Sequence, residues 1–187
     1  MKDIIRLCNV ALAALISLLN SSCQPIGDIH SSSQAKISLP FGQSYDYSDI
    51  LVTRAVDGDT LVLENKERVR LLGIDTPEMH ESNKLYRDSA RTHQDVRIIQ
   101  AMGRRAYEFT RQLVEGKRVR LEFDVEKKDK YGRLLAYVYL QDGIFVNAEI
   151  VRQGYASLMT YPPNVKNVEL FQKLYREARE NNRGLWK

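Results

Sequence analysis

Sulfur and imidazole side chains are scarce in this sequence of 187 residues. It has 2 cysteines, Cys8 and Cys23, and 3 histidines, His30, His80 and His93. Because both cysteines lie close to the amino terminus, the remaining chain can form neither a disulfide framework nor a cysteine-ligated zinc site. The histidines also lack the spacing of metal ligands. A metal site in the rest of the chain would therefore depend on oxygen ligands.

Long apolar runs are lacking as well. The main one, residues 7–19, is shorter than the roughly 20 residues that an α-helix needs to span a bilayer. It follows Lys2 and Arg6, and this order predicts a signal peptide over residues 1–22. Small residues before Cys23 resemble a lipoprotein processing site. We therefore expect a lipid on Cys23 that anchors the protein to a membrane of the cell envelope, with secretion after nearby cleavage as the alternative.

Neither sign of charge dominates. The net charge is +4, with 43% hydrophobic and 28% charged residues, which excludes a disordered chain, a collagen-like repeat and a polytopic membrane protein. The small positive excess alone says little about partners. Residues 23–48 are rich in Ser, Gly, Pro and Gln and predict a flexible tether. The folded domain is expected over residues 49–187.

The apolar pattern of this domain predicts an α+β fold. Residues 79–98 show no clear period and predict a long functional or mobile loop, with at most local helix. Five short strands around one core, with three helices packed on them, suit an OB-type β-barrel better than a parallel sheet. Alternation and turn residues predict five or six strands, at 50–56, 60–64, 68–73, 119–125 and 134–140, and a short one at 144–146. Helical spacing predicts helices near 102–113, 147–154 and 170–178.

Three short segments at strand ends or turns carry the candidate chemistry. They are residues 56–60 (VDGDT), 70–78 (RLLGIDTPE) and 129–133 (DKYGR). Taken singly, each has an ordinary structural interpretation: a tight turn, a helix start and a loop. Only their combination indicates a function.

The first two segments supply three carboxylates on neighbouring turns. Asp59, Asp75 and Glu78 lie there, with backbone carbonyls available around Thr76. Hard oxygen ligands without histidine or cysteine suit calcium or magnesium and do not suit zinc. The sequence therefore predicts a site for a hard divalent cation.

Two arginines give this site a mixed sign. Arg70 precedes the acidic turn, and Arg133 follows a glycine that lets the backbone approach a ligand. A cation held by carboxylates beside two guanidinium groups suits a phosphate that gains charge during a reaction. Phosphodiester hydrolysis is thus the leading chemical hypothesis.

Together, the three segments resemble the staphylococcal nuclease (thermonuclease) family. The likeness runs from about Ile50 to Trp186 and includes VRQGYA at 151–156 and GLW at 184–186. This resemblance implies an OB-fold barrel with three helices. It also implies calcium-dependent hydrolysis of DNA and RNA that leaves 3′-phosphorylated products.

The resemblance also implies roles for individual residues. Asp59 and Asp75 match the calcium carboxylates, and the carbonyl of Thr76 matches a further ligand. Glu78 matches the residue assigned as general base, which orients or deprotonates the attacking water.

The remaining site residues would contact the substrate. Arg70 and Arg133 match the pair that holds the scissile phosphate and stabilises its transition state. Lys130 and Tyr131 match positions near the terminal phosphate and sugar. Tyr161 matches a base-stacking tyrosine.

The sequence departs from the family pattern in three places. Met159 stands where the type member has a second tyrosine, and Gly73 replaces a bulkier apolar residue. The connection after Glu78 is longer and could change substrate access. None of these departures touches the carboxylates or arginines of the predicted site.

Two other function classes remain as alternatives. An OB-fold that binds single-stranded nucleic acid without cleaving it would need a basic groove and aromatic platforms, but not three carboxylates that repel phosphate. A tethered structural or adhesion domain would leave the arginine pair unexplained. Residues 84–133 carry an excess of basic residues, which fits either a solvated face or phosphate-backbone contacts. Nothing in the sequence indicates a protein partner.

Overall fold

The structure is a computed structural model, and it describes residues 37–38 and 44–187. Within these residues no helix is long and apolar enough to cross a membrane. The strands are β1 (Ile37–Ser38), β2 (Ser44–Tyr45), β3 (Ile50–Ala55), β4 (Thr60–Leu63), β5 (Arg68–Leu71), β6 (Gly73–Asp75), β7 (Arg118–Lys128), β8 (Leu134–Leu140) and β9 (Ser157–Met159). The helices are α1 (Asn83–Thr92), α2 (Val96–Val114), α3 (Val146–Arg152), α4 (Val168–Glu180) and a 3-10 turn (Gly184–Trp186).

Five strands close into a barrel in the order β3-β4-β5-β8-β7. Strands β5 and β8 run parallel, while the other neighbouring pairs are antiparallel. Alternating residues of β7, such as Val119 and Leu121, point into the core, as their apolar period predicts. The predicted α+β fold with a five-stranded barrel is confirmed.

The three predicted helices form as α2, α3 and α4, and the described residues contain a fourth α-helix. The extra helix, α1, lies in the segment expected to be a loop, where Ser82 caps it by accepting a hydrogen bond from the Leu85 N–H. Leu85 is the one residue that α1 buries, so an apolar stripe was absent from its sequence. Helix α2 also begins earlier than expected, at Val96, behind its cap Asp95.

The predicted strand at 144–146 is not among the strands of the described residues. After the turn at Asp142 and Gly143 the chain makes a single bridge, between Tyr139 and Phe145. Their rings stack with centroids 4.5 Å apart, and helix α3 begins at the next residue, Val146. The chain therefore leaves the sheet after this one bridge, with the Phe145 ring partly buried against the core.

Contacts with the barrel extend to residues before position 49. Tyr47 is only 3% exposed, its carbonyl accepts a 2.8 Å hydrogen bond from the Leu121 N–H, and its hydroxyl donates to Glu67. Strand β1 also pairs with β2. The boundary between tether and domain stays a prediction. The predicted signal peptide, Cys23 and the remainder of the tether lie outside the described residues.

Two buried contacts fix the strand that leads into the predicted site. The Asn147 amide donates to the Leu72 carbonyl at 2.9 Å and accepts from the Val138 N–H at 3.0 Å. Gly73 has φ +81°, and a Cβ on it would lie 2.2 Å from the Phe171 ring. Phe171 of α4 therefore fills the space that a larger residue at position 73 would need.

Candidate active site

The three segments that the sequence singled out meet at one cavity of about 580 Å³. Turn 57–59 comes from the β3-β4 connection, the acidic segment follows β5 and β6, and the third segment joins β7 to β8. The cavity is lined by the predicted carboxylates and both predicted arginines, namely Asp59, Asp75, Glu78, Arg70 and Arg133. The structure therefore brings together residues that are up to 74 positions apart in the chain.

Asp59 is the more enclosed of the two predicted carboxylate ligands, at 5% exposure. Its Oδ2 accepts hydrogen bonds from the Thr76 backbone N–H at 2.8 Å and from the Thr76 hydroxyl at 3.1 Å. Its Oδ1 lies 3.2 Å from the Arg70 Nη1. Thr76 thus joins the two acidic turns through its N–H and hydroxyl, and its carbonyl oxygen, a predicted ligand, takes no part in this contact.

Burial affects the two carboxyls of this turn differently. Burial, followed by the negative charge of Asp59, raises the pKa of Asp57 to about 7. Burial alone would also raise the pKa of Asp59, but the charge of Arg70 and the Thr76 N–H outweigh it and hold that pKa below its ordinary value. Asp59 is therefore the ionised member of the pair, and Asp57 shapes the turn by accepting from the Asp59 N–H at 3.0 Å.

Arg70 bridges the two predicted metal carboxylates. Its Nη2 lies 3.0 Å from Asp75 Oδ1, while its Nη1 pairs with Asp59 and donates to the Ile74 carbonyl at 2.8 Å. Nη2 also approaches the Met159 sulfur at 3.7 Å. These contacts hold the guanidinium plane at the cavity wall.

Lys84 is a site residue that the sequence interpretation missed. Its Nζ lies 3.0 Å from Asp75 Oδ1, 3.0 Å from the Thr76 carbonyl oxygen and 3.2 Å from Glu78 Oε1. Burial alone would lower the pKa of Lys84, but the charge of Asp75 and its hydrogen bond raise it above the ordinary value of 10.5. The side chain is therefore an ammonium ion held among predicted metal-binding and catalytic oxygens.

The carboxylate of Asp129 orients the Arg133 side chain. Its Nε donates to Asp129 Oδ2 at 2.7 Å, and Asp129 Oδ1 accepts from the backbone N–H groups of Tyr131 and Arg133, both at 2.9 Å. Burial alone would raise the pKa of Asp129, but these bonds hold it below its ordinary value. Because only Nε forms a side-chain hydrogen bond, the two Nη nitrogens of Arg133 donate to no partner among the described residues. The sequence interpretation included Asp129 in the third segment but predicted no role for it.

The predicted substrate-contacting residues fall into two places. Tyr161 lines a smaller cavity together with Arg70, Arg133 and Met159. Tyr131 is 72% exposed on the loop, with the Lys130 Nζ 5.1 Å and the Arg133 Cζ 5.6 Å from its ring centroid. Lys130 and Tyr131 therefore stand at the rim, outside both cavities.

Helix α2 supports both acidic turns from behind. The buried Thr110 hydroxyl donates to the Gly58 carbonyl at 2.8 Å. Gly103, also buried, faces the backbone of Pro77 and Glu78. A glycine inside a helix costs stability, so it is a signal of close packing that the sequence contained.

The oxygens that line the site are of the kind that bind a hard cation. Within residues 37–38 and 44–187, no three acidic, histidine or cysteine side chains are grouped so that they alone could hold a metal ion. The oxygens of Asp75, Thr76 and Glu78 nevertheless already surround one cationic nitrogen, that of Lys84. Carboxylate and carbonyl oxygens around a positive charge fit the ligand preference of calcium.

Fold and site together define an OB-type barrel with a cleft of carboxylates and arginines. The sequence profile described as "Staphylococcal nuclease homologue" matches residues 68–187. A thermonuclease from Staphylococcus intermedius is 39% identical over 148 residues, which cover 78% of this chain and 77% of the relative. A thermonuclease from Staphylococcus hyicus is 32% identical over 138 residues, or 72% and 73% of the two chains.

A third relative extends further along the chain. Endonuclease YncB from Bacillus subtilis is 33% identical over 172 residues, which cover 89% of this chain and 70% of the relative. The protein belongs to the staphylococcal nuclease family.

Proposed function

We propose that this protein is a calcium-dependent nuclease that hydrolyses phosphodiesters of DNA and RNA and leaves 3′-phosphorylated products. The observation that carries the proposal is the single cavity that gathers Asp59, Asp75 and Glu78 with Arg70 and Arg133. Relatives named thermonuclease and endonuclease support the same activity. A binding module without catalysis would have no use for carboxylates beside a phosphate.

The cation would be held by Asp59, Asp75 and the carbonyl of Thr76. When bound, calcium would neutralise charge on the scissile phosphate and favour attack on the phosphorus atom. Arg70 keeps the two carboxylates in place through its 3.2 Å and 3.0 Å contacts.

The side chains of this chain would carry out the proton transfer and the charge stabilisation. Glu78 accepts a proton from the attacking water, the bond from phosphorus to the 5′-oxygen breaks, and that oxygen leaves as a hydroxyl after taking a proton from solvent. The phosphate remains on the 3′-oxygen. Arg70 and Arg133 donate to the phosphate oxygens that gain charge in the transition state.

The rim residues would bind the rest of the nucleic acid. Tyr161 lines a cavity together with both arginines, and its ring would stack on a base. Lys130 and Tyr131, on the exposed loop, would contact the terminal phosphate and sugar.

Incubation of the protein with single-stranded DNA and with RNA, in calcium or in chelator, tests this proposal. We expect cleavage only with calcium, products that end in a 3′-phosphate, and a large loss of rate in the variant Glu78→Gln. Binding of DNA without cleavage under all conditions would favour the binding-module alternative.

We also propose that Cys23 carries a lipid that anchors the enzyme to a membrane of the cell envelope. The support is the short apolar segment ahead of Cys23 and the Ser- and Gly-rich residues after it. Intact-mass analysis of membrane-fraction protein should show cleavage before Cys23 and added acyl mass. A soluble product that begins at another residue would contradict the anchor.

A further inference from the structure

Lys84 occupies a position that its sequence context did not indicate. It lies in the first turn of α1, in the segment that the sequence predicted to be a loop. Leu85, which is fully buried, and the cap at Ser82 hold the start of this helix against the domain. The Lys84 ammonium is therefore delivered to the cavity by a fixed element.

The partners of Lys84 are the oxygens that the proposed reaction needs. Its Nζ contacts Asp75 Oδ1 and the Thr76 carbonyl oxygen, both at 3.0 Å, and Glu78 Oε1 at 3.2 Å. The first two belong to proposed ligands of the cation, and the third belongs to the proposed general base. An ammonium nitrogen and a calcium ion that contact the same oxygens lie so close together that their positive charges repel each other. Lys84 and calcium therefore compete for these oxygens.

On the basis of the proposed function, we propose that Lys84 is an internal counter-ion that competes with the divalent cation and thereby sets the affinity of the site for calcium. With Lys84 in place, the acidic oxygens are neutralised and held together without a metal ion. Calcium binds when Lys84 withdraws from Asp75 and Thr76. The apparent affinity for calcium then equals the intrinsic affinity multiplied by the fraction of molecules in which Lys84 has withdrawn.

Arg87 provides a matched control. It lies one turn further along α1, lines the same cavity and is exposed, and it forms no ion pair with Asp75 or Glu78 among the described residues. Arg87→Met removes the same charge from the same helix but breaks none of the contacts to the proposed ligands.

Calorimetric titration of calcium into the full chain, without nucleic acid, tests the role of Lys84. We expect Lys84→Met to bind calcium at least about tenfold more tightly than the wild type, which corresponds to withdrawal in about a tenth of wild-type molecules. Arg87→Met should stay within about threefold, because an exposed charge is screened by solvent. Equal or weaker binding by Lys84→Met would overturn the proposal, as would an equal gain in Arg87→Met.

Thermal unfolding gives a second measurement that does not depend on activity. Without calcium, Lys84→Met should unfold at a lower temperature than the wild type, because Asp75 and Glu78 lose a shared counter-ion. Calcium should raise its unfolding temperature by more than that of the wild type. Equal calcium shifts in the two proteins would overturn the proposal.

If Lys84→Met does not fold, Lys84→Gln removes the charge with a polar side chain and is judged by the same affinity criterion. If calcium binds to neither the wild type nor the variant, the proposed cofactor itself is wrong, and the role of Lys84 fails with it. Finite but equal affinities would reject the role of Lys84 alone.

Discussion

Gly103 lies directly against the backbone of Glu78. A Cβ at Gly103 would be 2.6 Å from the Glu78 carbonyl carbon and 2.7 Å from the Pro77 carbonyl oxygen. Such distances are too short for a methyl group, so even alanine would push α2 and the acidic segment apart. The position of the proposed general base therefore depends on a residue without a side chain.

Replacement of Gly103 by alanine should both destabilise the protein and slow catalysis. Although alanine favours a helix, the forced displacement should lower the free energy of unfolding by about 1–3 kcal/mol. The shift of Glu78 should reduce turnover about 100-fold at constant unfolding-corrected concentration. Denaturant unfolding and steady-state cleavage measure the two effects.

Gln112→Ala is the control, since Gln112 lies exposed on the same helix. It should change stability by no more than about 0.5 kcal/mol. Wild-type stability in Gly103→Ala would show that the helix can move away without cost.

Replacement of either arginine by lysine should lower the rate of cleavage far more than the affinity for nucleic acid. Arg70→Lys and Arg133→Lys keep the charge but lose the planar fork that holds two phosphate oxygens at once. Loss of one preorganised donor should lower the rate of cleavage by about a hundredfold to a thousandfold. Affinity for a long strand is spread over many basic residues and should fall only slightly.

Single-turnover cleavage in calcium, beside equilibrium binding in chelator at the same salt concentration, provides this comparison. Near-wild-type rates in both lysine variants would place the arginines on a binding face and reject their catalytic role.

Calcium should support turnover, and magnesium should replace it poorly. Calcium accepts an irregular shell of about 6–8 oxygens, whereas magnesium demands a regular octahedron and holds its water tightly. The proposed ligands mix the carboxylates of Asp59 and Asp75 with the Thr76 carbonyl, which suits the more permissive ion. Full activity in magnesium after rigorous removal of calcium would contradict this assignment.

Alkaline pH should weaken the fold through buried tyrosines. Burial, followed by the hydrogen bond and charge of Glu67, raises the pKa of Tyr47 well above its ordinary value of 10.0. Burial, followed by the charge of Asp124, raises the pKa of Tyr137 to about 12. The folded state thus holds these protons more tightly than the unfolded chain, so stability is complete below pH 10 and declines as the pH rises above it.

Tyr47→Phe isolates one of these groups. Near neutral pH it should lose about 1 kcal/mol with the hydrogen bond to Glu67, and above pH 10 its stability should fall less steeply than that of the wild type. Tyr86→Phe, at an exposed position, is the control and should follow the wild-type curve. Parallel curves for Tyr47→Phe and the wild type would show that the Tyr47 hydroxyl does not contribute.

The barrel strands were predictable because their information is local. The alternation of apolar and polar residues along β7 predicts which face of the strand is buried, and the tight turns predict where strands end. The burial of Val119 and Leu121 confirms this prediction for β7. The sequence of helix α1 contains no such apolar pattern, since Leu85 is its one buried residue. Tyr47 was missed for a similar reason, as a single buried aromatic has no period.

The candidate residues of the site could be predicted from the sequence alone, because they lie in three short segments of recognisable order: Asp59, Asp75, Glu78, Arg70 and Arg133. The groups that surround them depend on how the helices pack in the folded domain. Lys84 reaches the oxygens of Asp75, Thr76 and Glu78 because α1 turns back over the cavity, and Gly103 meets Glu78 because α2 packs behind it. Such contacts depend on where helices dock, which apolar burial and close packing of the whole domain determine and no local pattern records.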